Sequence, residues 1–225
     1  KVTRVWNALY QAVERANLAI YYIENSPIYQ DASDPYNTDF REYRAEAITL
    51  RAMCFMELTR LWGNVPFRTV PAESNLTNVF TPKSDRLEIY AELVSQLVSC
   101  AGDLPWLRST PERTTQGFAR GLAARLALYR AGHDFTTDCR WVAPRADAAD
   151  WHKVAMDQCW IVMESGQYDL EETYKDYFYK QCQREYSNKE TLYEIGFYLG
   201  GSSEMGYSVG VRVETLTEEF GYPTG

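Results

Sequence analysis

Apolar positions along the chain recur at helical spacing. Leu9, Val13, Ala16, Ile20 and Ile23 step by four and three residues, which places them on one face of a helix over about Val5–Glu24. Asn25-Ser26-Pro27 reads as its end, and a polar loop with Asp31, Asp34, Pro35 and Asn37 follows. Ala45, Ile48, Ala52, Phe55, Thr59 and Trp62 outline a second helix. Asp39 with Glu42 three residues on predicts its cap. Gly63 suits its left-handed C-terminal position, and Pro66 blocks continuation.

Residues Phe67 to Pro82 show no period. Asp85 with Glu88 repeats the capping pattern and opens a third helix to about Ala101, with Ile89, Leu93, Leu97 and Cys100 on one face. A fourth helix is expected over Gln116–Arg130, rich in the small residues Ala119, Gly121, Ala123, Ala124 and Ala127, which allow close approach of another helix. A long insertion-like loop with Trp141 and Pro144 leads to a fifth, Trp151–Glu164, capped by Asp150. Its face is Val154, Ala155, Gln158, Cys159, Ile161 and Val162. Tyr168–Phe178 reads as an aromatic-rich connector. Glu190–Leu199 is β-branched and aromatic and predicts a short strand, with a Gly/Ser-rich loop after it.

The predicted architecture is mainly α: helix pairs stacked in a repeat-like array, with long loops and one or two short strands. A strict period of about 34 residues is not visible. Function is then expected in the loops.

Composition narrows the choice. The 225 residues suit one large domain, or a piece of a longer chain, and 45% are apolar, enough for a packed core. A formal net charge of −8 repels phosphate backbones, so nucleic acid is not an expected partner. Cys54, Cys100, Cys139, Cys159 and Cys182 show no metal-ligand spacing, and Cys54, Cys100 and Cys159 fall in helical patterns as small buried hydrophobes. No apolar run reaches the roughly 18 residues of a membrane-spanning helix. The chain opens at Lys1 without an initiator Met and closes on Tyr222-Pro223-Thr224-Gly225, so it reads as incomplete.

Catalytic signatures are missing. His133 and His152, the two histidines, have no partner at metal-ligand spacing. Nucleophile-elbow, phosphate-loop and dinucleotide motifs do not occur. Asp31, Asp34 and Asp39 share one stretch that leaves a structural Ca²⁺ open, but it lacks the alternation and terminal Glu of a calcium loop, so no cofactor is indicated. Among 31 acidic residues the sequence singles out no glycosidase pair. The positive signal is aromatic. Trp141, Tyr198 and Tyr207 sit outside the helical faces, where a flat ring can stack on a sugar or simply pack on its own loop.

Several segments carry a family pattern. Trp6-x-x-Leu9-Tyr10-x-x-Val13-x-x-Ala16-Asn17 resembles one helix. Tyr43-Arg44-Ala45-Glu46-Ala47-x-x-Leu50-Arg51-Ala52, continued by Leu58-x-Arg60-Leu61-Trp62-Gly63-Asn64-Val65-Pro66, resembles another. Gly117 to Tyr129, Trp151 through Ser165-Gly166-Gln167-Tyr168-x-Leu170, and Asn188-Lys189-Glu190 with Leu192-Tyr193-Glu194-Ile195 follow in order. Together they resemble the SusD/RagB family of outer-membrane lipoproteins. Met53-Cys54-Phe55-Met56 departs from the aromatic run common there.

That resemblance implies a tetratricopeptide-like scaffold, here a single incomplete SusD-like domain over residues 1–225. It implies a non-catalytic, lipid-anchored surface protein that captures glycans and passes them to a SusC-like TonB-dependent transporter. A helical glycoside hydrolase and a tetratricopeptide-type protein scaffold are the alternatives. Trp6, Asn7, Tyr198, Tyr207 and Trp141 are the expected ligand-binding residues.

Overall fold

The computed structural model describes residues 2–72, 80–110, 112–135, 140–171, 173–183, 185 and 189–196. The helical stripes become real helices. They are α1 (Val2–Glu24), α2 (Pro27–Gln30), α3 (Asn37–Trp62), α4 (Arg86–Cys100), α5 (Gln116–Ala131), α6 (Ala148–Glu164) and α7 (Tyr174–Gln183). Two antiparallel ladders join them: β1 (Val65–Pro66) with β2 (Lys83–Ser84), and β3 (Asp134–Phe135) with β4 (Trp141–Val142). The fold is the expected mainly α stack of helix pairs. Helix α1 packs on α3, α4 on α5, and α6 also lies on α5.

The core sits where the stripes meet. Val13 and Ile20 of α1, Phe55 and Leu58 of α3, Leu93 and Leu97 of α4, and Leu126 of α5 belong to one buried cluster. Each large side chain buried there contributes roughly 1.5–3 kcal/mol of transfer free energy. The small residues Ala119, Ala123, Ala124 and Ala127 are buried on α5, which lets α4 and α6 both approach it.

A polar clamp fixes the aperiodic stretch after β1. Arg51 is buried on α3 and donates to Asn17 Oδ1 (2.7 Å), the Thr69 carbonyl (2.9 Å) and Gln96 Oε1 (2.9 Å). The Asn17 amide donates in turn to the carbonyls of Arg68 (3.2 Å) and Val70 (3.1 Å). These acceptors are neutral, and burial pulls the Arg51 guanidinium down to about 10. Two family-patterned residues therefore hold backbone that has no ladder of its own.

Several boundaries differ from the sequence reading. Ser26-Pro27 starts a helix as well as ending one: Ser26 caps the Ile28 N–H and Pro27 takes the first position of α2. Helix α3 begins at Asn37, so Asp39 is a first-turn charge and not a cap, and Glu42 pairs with Arg108 at 2.6 Å. Asp31 and Asp34 accept from backbone N–H groups two residues on, as turn residues do. Asp85 does cap α4, accepting from the Leu87 N–H at 2.8 Å. Helix α6 begins at Ala148, before the expected Asp150 cap.

Helix α7 replaces part of the expected connector. At its start Thr173 Oγ1 accepts from the Asp176 N–H (3.2 Å) and donates to Asp176 Oδ2 (2.6 Å), an N-cap that the aromatic composition masked. The strand expected over Glu190–Leu199 is not formed in its described part, 190–196. There Thr115 Oγ1 donates to the Leu192 carbonyl at 3.1 Å, and Tyr193 stacks on Phe118 at 4.4 Å. Side-chain anchoring to α5 has replaced a β-ladder. Cys54 and Cys100 are buried, whereas Cys159 is exposed, because α6 faces the core with Ala155 and Gln158 instead.

Residues up to Glu194 form one compact unit and Ile195–Gly225 a second, of which Ile195 and Gly196 are described.

Candidate functional site

The end of α3, the start of α4 and the β3–β4 ladder bring polar and aromatic groups together. Trp62 is the last residue of α3. Gly63 follows at φ +72°, a conformation that favours glycine, and turns the chain into Asn64 and β1. Pairing of β1 with β2 brings Lys83 and the start of α4 back beside that turn. Asn64 Oδ1 accepts from the Arg86 N–H at 3.1 Å and locks the two together.

The β3–β4 hairpin, between α5 and α6, closes the other wall. Phe135 and Trp141 are cross-strand partners, with ring centroids 4.0 Å apart. His133 meets the Trp141 ring edge-on at 5.8 Å. Four ion pairs fix this hairpin's base: Arg86 with Asp134, Arg145 with Asp85 and with Glu88, and Arg130 with Asp147 at 2.8 Å. The Trp151 indole N–H, and then Arg130, hold the Asp147 carboxyl below its ordinary range.

Between these walls lie two adjoining open cavities of about 350 and 330 Å³ that share Arg86 and Phe135. Trp62, Asn64, Phe135 and Val142 line the first; Tyr90, Tyr129 and His133 line the second. Tyr90 and Tyr129 are themselves in ring contact at 5.8 Å. The cavities combine aromatic rings with charged groups, Lys83, Asp85, Arg86 and Asp134 in the first and Arg60 and Arg86 in the second, and such rings can pack on flat apolar faces.

Two of the expected binding residues touch side chains that line this cleft. Trp6 lies within α1, partly buried, and packs edge-on against Trp62 at 5.0 Å and against Tyr10 at 4.7 Å. It supports the Trp62 wall. Trp141 is 68% exposed and lines neither cavity, but its ring lies tilted against Phe135. Asn7 is exposed on α1. Tyr198 and Tyr207 lie outside the described residues. Sequence reasoning passed over Trp62, Asn64, Arg86, Phe135 and Tyr129, since each sits in a helix, cap or turn pattern. The signal that could have exposed Phe135 is its spacing from Trp141 across a short polar stretch, as in a hairpin with an aromatic pair.

Among the described residues no group of three or more His, Cys, Asp or Glu is placed to hold a metal ion. No described helix is long and apolar enough to cross a membrane.

Known proteins settle the lineage. The SusD-like family model described as "Starch-binding associating with outer membrane" matches residues 1–128. The chain belongs to the SusD-like family. A SusD homologue of known structure from Bacteroides thetaiotaomicron superposes on this SusD-like chain with a TM-score of 0.73 at 27% identity, over 90% of this chain and 36% of that one. A laminarin-binding SusD-like protein shares the fold at a TM-score of 0.62 and 21% identity, over 84% of this chain and 36% of its own. A SusD-like protein of Formosa agariphila is 29% identical over 92 residues, 41% of this chain and 16% of that protein. The SusD-like chain therefore spans well under half the length of these relatives.

Proposed function

We propose that this chain is the helical scaffold of a non-catalytic glycan-binding protein of the outer-membrane surface. Its cleft holds an oligosaccharide or polysaccharide, and the full-length protein, lipid-anchored, delivers it to a SusC-like TonB-dependent transporter. The observation that carries the reading is the cleft itself, lined by Trp62 and Phe135 with Trp141 against Phe135, in a chain whose family model is named for starch binding. Sugar rings offer C–H faces to such walls, and Asn64 with the backbone at Gly63 and Gly132 suits their hydroxyls. The cleft's carboxylates, Asp85 and Asp134, are both engaged by guanidinium groups, which favours binding over acid–base catalysis.

Calorimetric titration of the full-length protein with neutral oligoglucosides tests this. Trp62→Ala and Trp141→Ala are each expected to weaken binding at least about tenfold, near 1.4 kcal/mol. Unchanged affinity in both variants removes the cleft as the site. Release of shortened products from the polysaccharide, lost on mutating one carboxylate, would favour the hydrolase reading instead.

A further inference from the structure

The guanidinium groups around the cleft are each paired with a carboxylate. Arg86 is held by Asp134 of the hairpin, and Arg60 by Glu57 one turn earlier on α3, at 2.5 Å. Arg145, at the base of the hairpin, is divided between Asp85 and Glu88. Recognition of a carboxylate or sulfate relies on a guanidinium fork that is free to accept it in two parallel bonds. Here each of these forks faces a resident carboxylate. An incoming anion would have to displace that carboxylate or lie beside it at like charge. The chain's net charge of −8 adds a long-range field against polyanions. Uncharged sugars meet no such cost: they need aromatic faces and hydrogen-bond partners, and both are present.

We propose that the cleft selects uncharged oligosaccharides and turns away uronate or sulfated ones, the Arg86–Asp134 pair acting as its charge filter. This rests on the glycan reading of the same cleft. The pair also ties the hairpin to α4, so one contact sets both the shape of the mouth and its charge. Lys83, exposed on β2, is the cation that an acidic sugar would use if the proposal were wrong.

The test sets neutral oligoglucosides of β-1,3, β-1,4 and α-1,4 linkage against oligogalacturonate and oligoalginate of equal length, with the full-length protein. The best neutral compound is expected to bind at least about tenfold tighter than any uronate. Its affinity should change by less than about twofold as salt rises from about 0.05 to 0.5 M, because no net charge is exchanged. Asp134→Asn, which releases Arg86, should move the neutral-to-uronate ratio about fivefold toward the uronate. A wild-type protein that prefers a uronate, with affinity falling as salt rises and lost in Lys83→Ala, overturns the charge filter but keeps the glycan reading if Trp62→Ala also abolishes binding. Binding of no member of either class removes the glycan reading and the filter with it. The salt and selectivity measurements use the unaltered protein, so the proposal stays falsifiable if Asp134→Asn does not fold.

Discussion

Phe55→Ala is expected to cost about 3–5 kcal/mol of folding stability. Phe55 is fully buried at the middle of α3. Its ring meets Tyr10 of α1 at 6.4 Å and Phe67, beyond β1, at 4.8 Å, both edge-on. Truncation would empty a space bounded by three chain segments. Those segments are held from outside the space: the Tyr10 hydroxyl donates to the Pro66 carbonyl at 2.7 Å, and the Arg51–Asn17 clamp fixes residues 68–70. The cavity therefore cannot close cheaply, and the upper part of the range applies. Phe55→Leu, which keeps most of the volume, should cost only about 1–2 kcal/mol. Urea unfolding followed by circular dichroism reads both. A loss below about 1 kcal/mol for the alanine variant would show that the packing of α1 on α3 is not as described.

Gly117→Ala is expected to cost about 3 kcal/mol, although alanine is the better helix former. A Cβ at this position would lie 2.4 to 2.6 Å from two ring carbons and the hydroxyl oxygen of Tyr168. Tyr168 has little room to retreat. Its hydroxyl donates to the Trp106 carbonyl at 2.6 Å and lies 3.1 Å from Thr115 Oγ1, the hydroxyl that caps α5. The clash and the hydrogen bonds belong to one contact, so the two sites should not add. Tyr168→Ala alone is expected to cost about 3 kcal/mol, and adding Gly117→Ala to it almost nothing. A double variant that loses the sum of the two single effects would contradict the contact.

These two contacts also show what a sequence can reveal. The α1, α3 and α4 stripes were legible because burial on one side of a helix leaves a period, and Phe55, Leu93 and Leu97 sit where the period places them. Gly63 and Asp85 were legible because they answer local backbone needs. Gly117 carries no such signature. Its role depends on Tyr168, 51 residues later, finding the gap. The Ser26-Pro27 pair signals both a stop and a start, and only the surrounding packing decides that α2 forms. Glu190–Gly196 has strand-like composition, yet its Leu192 and Tyr193 find partners on α5, so pairing never enters.

The cleft was half legible. Trp141 stood out as a loop aromatic, and Trp6 stood out through the family pattern. Trp62 and Phe135, the residues that join them, did not, because a helix terminus and a two-residue strand acquire their meaning only when the hairpin folds back over α3 and α4. Arg86 and Asp134 are 48 positions apart, and nothing local in either segment announces the pair that closes the mouth.

The proposed sugar-binding cleft of this SusD-like scaffold lies between the end of α3 and the β3–β4 hairpin. A crystal structure of the full-length protein with a bound neutral oligosaccharide tests it most directly. Sugar rings are expected on the Trp62, Phe135 and Trp141 side chains, with hydroxyls turned toward Asn64. A saccharide bound elsewhere, with this cleft empty, would contradict it.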